Sequence, residues 1–126
     1  MDSSLLDIPM DYASSKAGIS IGAGAYLICD LRVSVVALLL ELMHFFSVES
    51  CGKCIPCRAG TTRAFEILTG MANSKGQKGN IDELKALSLN MLVASFCGLG
   101  QAVSIPMDTA MKNFAEEFSQ AEHETA

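Results

Sequence analysis

Between Val33 and Val48 apolar residues fall on nearly every side of a helical wheel, relieved only by Ser34, Glu41, His44 and Ser47. The segment is rich in leucine and poor in β-branched residues around Leu38–Met43, so the pattern predicts a helix rather than a strand. A helix that is apolar all round is covered all round, and in so short a chain that predicts a partner surface as well as an internal core. His44 on this helix reads as a core or interface histidine rather than a ligand. A second helix is predicted from near Arg58 through Ala64, Phe65, Ile67 and Leu68 to Gly70. Polar residues 71–80 read as a loop. Asn80 or Asp82 then caps a third helix carrying Leu84, Leu87, Leu89, Met91, Leu92 and Val93. The run Cys97-Gly98-Leu99-Gly100 interrupts the pattern as a turn. Pro106 opens a fourth helix to about Ser119, with Met107, Ala110, Met111, Phe114 and Phe118 on one packing stripe. Glu116, Glu117, Glu122 and Glu124, with His123 among them, read as a solvated end.

The first thirty residues are different in kind. Ser, Gly and Ala dominate, Pro9 fixes a turn or extended segment, and Gly18, Gly22 and Gly24 permit tight turns. These glycines form no dinucleotide fingerprint, because no strand precedes them and no βαβ unit fits. Ala25-Tyr26-Leu27-Ile28-Cys29 reads as a strand that must find a partner elsewhere. Cys29 within it reads as a buried, unreactive cysteine. The expected architecture is therefore mainly α: a four-helix bundle over residues 31–126, preceded by a short docking segment, residues 1–30.

Composition narrows the class. Half of the 126 residues are hydrophobic, which supports a folded core and argues against disorder. A net charge of −5 gives no electrostatic reason to bind nucleic acid. The start Met1-Asp2-Ser3-Ser4 has neither the basic nor the apolar region of a signal peptide. The longest apolar run is shorter than the roughly 20 residues of a membrane helix, so no direct span is expected. The reading is a cytoplasmic protein, compatible with a place in a membrane-attached complex.

The chemistry lies in four of the five cysteines. Cys51, Cys54 and Cys57 follow one another at three-residue steps in Cys-Gly-Lys-Cys-Ile-Pro-Cys, and Cys97 stands alone forty residues on. An odd count crowded in this way favours metal ligation in a reducing compartment over disulfides. Three closely spaced thiolates fit one face of a [4Fe-4S] cubane, and a distant fourth closes the cage. The long interval has a simple meaning: two helices travel away from the site and return to it. Zinc sites more often use two separated pairs of ligands, so the spacing favours one [4Fe-4S] cluster over zinc. Lys53, Arg58 and Arg63 lie near the ligands in sequence, where positive charge offsets an anionic cluster. Ile55, Phe96 and Leu99 are expected to bury it. A fully ligated cluster offers no open iron, and no acid–base constellation accompanies it, so no catalytic residue and no complete active site are legible.

The motif residues also resemble a family. Glu49-Ser50-Cys51-Gly52-Lys53-Cys54-Ile55-Pro56-Cys57-Arg58-Ala59-Gly60 and Ser95-Phe96-Cys97-Gly98-Leu99-Gly100-Gln101 are similar to the two ligand segments of the NADH-binding flavoprotein subunit of respiratory complex I. Relatives of that subunit occur in NAD-linked hydrogenases and formate dehydrogenases. The likeness runs from about residue 33 to 118. It implies that Cys51, Cys54, Cys57 and Cys97 bind [4Fe-4S]. Residues 7–30 resemble the end of that family's small ubiquitin-like domain, a β-grasp remnant, through Pro9-Met10-Asp11-Tyr12 and Gly22-Ala23-Gly24. The family's flavin and nucleotide motifs have no counterpart here, so no FMN or NAD is expected on this chain alone. The resemblance implies an electron-transfer subunit of a multisubunit oxidoreductase. Its partners would include a flavin- or iron–sulfur-bearing subunit. The alternative is a structural adaptor whose iron–sulfur or zinc site stabilises an interface away from any electron path.

Overall fold

The computed structural model describes residues 7–9, 11, 14, 16, 22 and 24–123, the last by its backbone only. Two compact units divide at Arg32/Val33. In the first, residues 25–30 form no strand, and no described residue of the chain lies in one. Tyr26, Leu27 and Ile28 are exposed, so the β-prone composition of 25–29 is not realised. A strand needs a neighbour to satisfy its backbone, and none pairs with this one. Cys29, expected to be buried, is consequently exposed. Part of the β-grasp-like stretch, including Met10, Tyr12 and Ala23, falls outside the described residues.

The second unit is helical throughout. Its segments are α1 (Val35–Glu49), α2 (Ile55–Ala72), α3 (Asn80–Ala94), α4 (Gly98–Ala102), α5 (Ser104–Asn113) and α6 (Ala115–His123). Ser34 starts α1 by accepting a hydrogen bond from Ala37 N at 3.2 Å, which satisfies one of the free amides of the first turn. One face of α1 enters the core through Val36, Leu39 and Met43, while Leu42, Phe45 and Val48 stay exposed. The all-round apolar pattern thus splits into a covered half and an open half. His44 is exposed, with its ring 5.2 Å from that of Phe65 on α2.

Helix α2 begins three residues before the expected Arg58, because Pro56 occupies an early helical position where its missing N–H costs nothing. Helices α2 and α3 run antiparallel, as two contacts record. Gly60 lies so close to Met91 that an added Cβ would stand 2.8 Å from its Cγ and Sδ. Further along, Arg63 Nε donates to Glu83 Oε1 at 2.6 Å. Gly79, with φ of +97°, turns the chain into α3 in place of the expected Asn80 or Asp82 cap. Asn80 instead accepts a bond from Gln77 N in the preceding turn.

The expected fourth helix from Pro106 to Ser119 is two segments, α5 and α6, and the turn expected at 97–100 is the short helix α4. Helix α5 starts at Ser104, before Pro106, and α4 precedes it with Val103 in helical conformation between them. Pro106 cannot donate to the carbonyl of Ala102, and its ring crowds that carbonyl, so the ladder breaks there. A second break falls at Phe114, whose φ and ψ of −126° and 36° leave the helical region. Phe114 leaves the predicted stripe and is exposed, whereas Met107, Met111 and Phe118 are buried. Five of the seven methionines, Met43, Met71, Met91, Met107 and Met111, lie in the one core. Their flexible side chains suit the filling of irregular gaps between helices.

The acidic C-terminal stretch is not merely solvated. Glu117 Oε1 accepts from Ser34 Oγ at 2.7 Å and from Val36 N at 3.1 Å. Glu122 Oε1 accepts from Gly79 N at 2.9 Å and from Ile81 N at 3.1 Å. Two carboxylates of α6 therefore cap the N-termini of α1 and α3, where backbone amides and helix dipoles favour negative charge. Gly76 passes directly beneath the carbonyl of Ala121, an approach with no room for a side chain. No helix among the described residues is long and apolar enough to cross a membrane.

Candidate metal centre

The C-terminus of α1, the N-terminus of α2 and the C-terminus of α3 share one end of the bundle, opposite the Glu117 and Glu122 caps. The four ligand candidates belong to that end. Ser50 closes α1, and the loop then reverses through Gly52, whose φ of +73° is a conformation that glycine adopts without strain. Cys54 is the N-cap of α2, and Cys57 lies in its first turn rather than in the loop. Cys97 is the N-cap of α4.

Direct contacts join the two cysteine segments. The backbone amides of Phe96 and Cys57 hold the Cys54 thiol below its ordinary range, against the opposing effect of burial. Stabilising the thiolate is what ligation requires. On the other flank, Gly100 of α4 sits against Cys57: an added Cβ would lie 3.0 Å from Cys57 Cβ. Cys57 Sγ is also 3.4 Å from Ser50 Oγ, whose oxygen accepts from Gly52 N at 3.3 Å. The return of the chain to residues 95–100 after two helices thus has its expected geometry.

Cys54 and Cys57 are buried, whereas Cys51 and Cys97 are exposed. Among the described residues no three Cys, His, Asp or Glu side chains converge on the position of a single metal ion. The requirements of a cubane differ, because each thiolate binds its own iron at a separate corner. The donor set fits it: four soft thiols, three of them at helix starts. Cys29 belongs to the other unit and has no part in this set.

Two surrounding expectations change. Arg63 bonds Glu83 and Glu66, so its charge serves the α2–α3 contact rather than the cysteines. That pairing pushes its basicity up and holds the Glu83 carboxyl below the usual range. Ile55 and Phe96 do not enclose the site; they are 69% and 85% exposed. With Val93 they leave an apolar rim open at this end. The sequence reading also missed Ser50 and Ser95, the small hydroxyl residues beside the two ligand segments. Their only signal was their position in Ser-Cys and Ser-Phe-Cys.

This helical unit with a four-cysteine end defines an iron–sulfur binding domain, and comparison gives its family. Residues 37–121 match the NADH-ubiquinone oxidoreductase-F iron-sulfur binding region, and the chain belongs to that family. It is 38% identical over 90% of its length to the NADP-reducing hydrogenase subunit HndC of Solidesulfovibrio fructosivorans, covering 23% of that protein. It is 35% identical over 91% of its length to an NADH-quinone oxidoreductase subunit of Streptomyces coelicolor, covering 26% of it. The fold is similar to that of a solved NAD+-reducing [NiFe]-hydrogenase in its H2-reduced state. There the TM-score is 0.70 at 28% identity, over 74% of this chain and 16% of that one. The chain thus spans about a quarter of the length of these curated relatives.

Proposed function

We propose that this chain is an electron-transfer subunit, holding one [4Fe-4S] cluster through Cys51, Cys54, Cys57 and Cys97. It relays single electrons between a flavin or iron–sulfur donor and the next carrier of a larger oxidoreductase. The observation that carries the reading is the approach of Gly100 to Cys57, where an added Cβ would lie 3.0 Å from Cys57 Cβ, which supports a meeting of the fourth-ligand segment with the triplet. When bound, the cluster supplies a one-electron couple that changes charge without changing its ligands. The chain's own contribution is to fix four thiolates, turn amides toward sulfur, and leave one side of the site open. Cys51 and Cys97 are exposed, which suits a carrier whose partner must come within tunnelling reach.

The relatives named above are subunits of NADH- and hydrogen-linked assemblies, which supports a partner bearing flavin or further clusters. These residues themselves offer no motif for FMN or NAD. A cytoplasmic setting within a membrane-attached complex agrees with this reading.

Anaerobic reconstitution of the full chain with iron and sulfide tests the reading. The expected product holds four irons and four sulfides per chain and accepts one electron from dithionite, with the electron passing on to an added acceptor. A Cys97→Ser variant is expected to lose most of its iron. Preferential uptake of one zinc ion, with no sulfide, would overturn the proposal in favour of a structural adaptor.

A further inference from the structure

Among the described residues the buried hydroxyls of the helical unit are satisfied, with one exception. Thr61 donates to Cys57 O at 2.8 Å, Ser88 to Asp108 Oδ1 at 2.7 Å, and Ser104 to Gln101 O at 2.8 Å. Ser95 is only 6% exposed, yet its Oγ has no hydrogen-bond partner. Burying a hydroxyl unpaired is unfavourable, so such a group calls for a reason.

Its placement supplies one. Ser95 ends α3, its N–H donating to Met91 O at 3.2 Å and its carbonyl accepting from Gln101 Nε2 at 3.0 Å. The backbone is thereby pinned from both sides, and the side chain projects toward Gly100. A Cβ added to Gly100 would stand 2.5 Å from Ser95 Oγ and 3.0 Å from Cys57 Cβ. The free hydroxyl and the ligand's methylene thus flank the same glycine, which is small enough to admit both.

We propose that Ser95 donates its hydrogen bond to a sulfur of the cluster and so raises the cluster's reduction potential. The inference rests on the cluster reading above. Reduction adds one electron and one negative charge while every thiolate stays bound. The hydroxyl proton remains on oxygen, and no covalent bond forms or breaks. A donor aimed at sulfur interacts more strongly with the more negative state, so its presence favours reduction.

The test compares full-length wild type with Ser95→Ala, Ser95→Gly and Ser95→Thr after reconstitution. Iron and sulfide are counted first, and the potential is then read by EPR-monitored redox titration. Loss of the hydroxyl is expected to weaken the preference for the reduced state about tenfold, a fall of about 60 mV for one electron. The Thr variant keeps the hydroxyl and is expected to retain the wild-type potential. The metal-free Ala variant is expected to melt no lower than metal-free wild type, because Ser95 Oγ bonds nothing there. A purely structural role would lower that melting point and leave the potential in place.

Loaded Ala or Gly variants with the wild-type potential would overturn the proposal while leaving the cluster reading intact. Failure of wild type itself to take up iron and sulfide would overturn both. If neither Ala nor Gly holds iron, the metal-free melt decides: an unchanged melt assigns the hydroxyl to the cluster, and a lowered one overturns the assignment.

Discussion

Gly52 shows how much of this site is decided by single residues. Its φ of +73° lets the chain reverse between Ser50 and Cys54, a conformation that costs an ordinary L-residue about 1 kcal/mol or more. Gly52→Ala is therefore expected to lower stability by about 1 kcal/mol and to weaken cluster retention, both measurable by urea titration and iron release to a chelator. The added methyl group itself meets little, the nearest atom being Arg58 Cδ at 3.8 Å, so the cost is conformational rather than steric. The four candidate cysteines stand out by their spacing, three at three-residue steps and one forty residues on. Ser95 and Ser50 do not. A serine becomes notable only when the fold buries its hydroxyl or sets it against a sulfur, and no period in the sequence records that.

At the scale of elements, caps and pairs between distant helices decide the arrangement. Removing the carboxylate in Glu122→Ala leaves the amides of Gly79 and Ile81 without their acceptor. The expected cost is about 1 kcal/mol, read as a lower urea midpoint at unchanged slope. Glu117→Ala should behave alike at the start of α1. The Arg63–Glu83 pair is half-exposed and is worth only about 0.5 kcal/mol. Its pH dependence has a definite sign. The folded Glu83 carboxyl sits below its ordinary 4.5, so the unfolded chain binds more protons in that interval. The pair's contribution is complete above 4.5 and fades as pH falls through the folded value. The stability gap between wild type and Glu83→Gln is thus expected at pH 7 and should close in acid, as paired urea titrations would show.

Helix existence was readable from periodicity, and α1 to α3 lie close to where the pattern put them. The breaks at Val103 and Phe114 were not foreseen. Pro106 carried the signal for the first, since a proline silences the carbonyl four residues before it. Phe114 sat on an apparently unbroken stripe, and only the demand of α6 to reach the starts of α1 and α3 turns the chain there. Those caps span 81 and 41 residues in sequence, beyond any local pattern.

The helical unit as a whole has two differently secured ends. Carboxylates of α6 hold the starts of α1 and α3 at one end; the cysteines gather at the other. Loss of metal should therefore act on one end only. Hydrogen exchange of the metal-free chain is expected to speed up at residues 50–58 and 95–100, while amides of Val36 and Ile81 keep their protection. Equal loss of protection at both ends would show that the ends are coupled. The mainly helical class and the family were legible from the sequence. The strand at 25–29 was not realised, because β-prone composition has no effect without a pairing neighbour.

Cys51 and Cys97 are exposed, and so are the apolar side chains of Ile55 and Phe96 that neighbour the ligand segments in sequence. On the cluster reading, dioxygen would enter by the same door as an electron. Kept apart from its neighbours in air, the loaded subunit should bleach quickly, and the apolar rim should turn from an entrance into a seal once a redox partner closes over it.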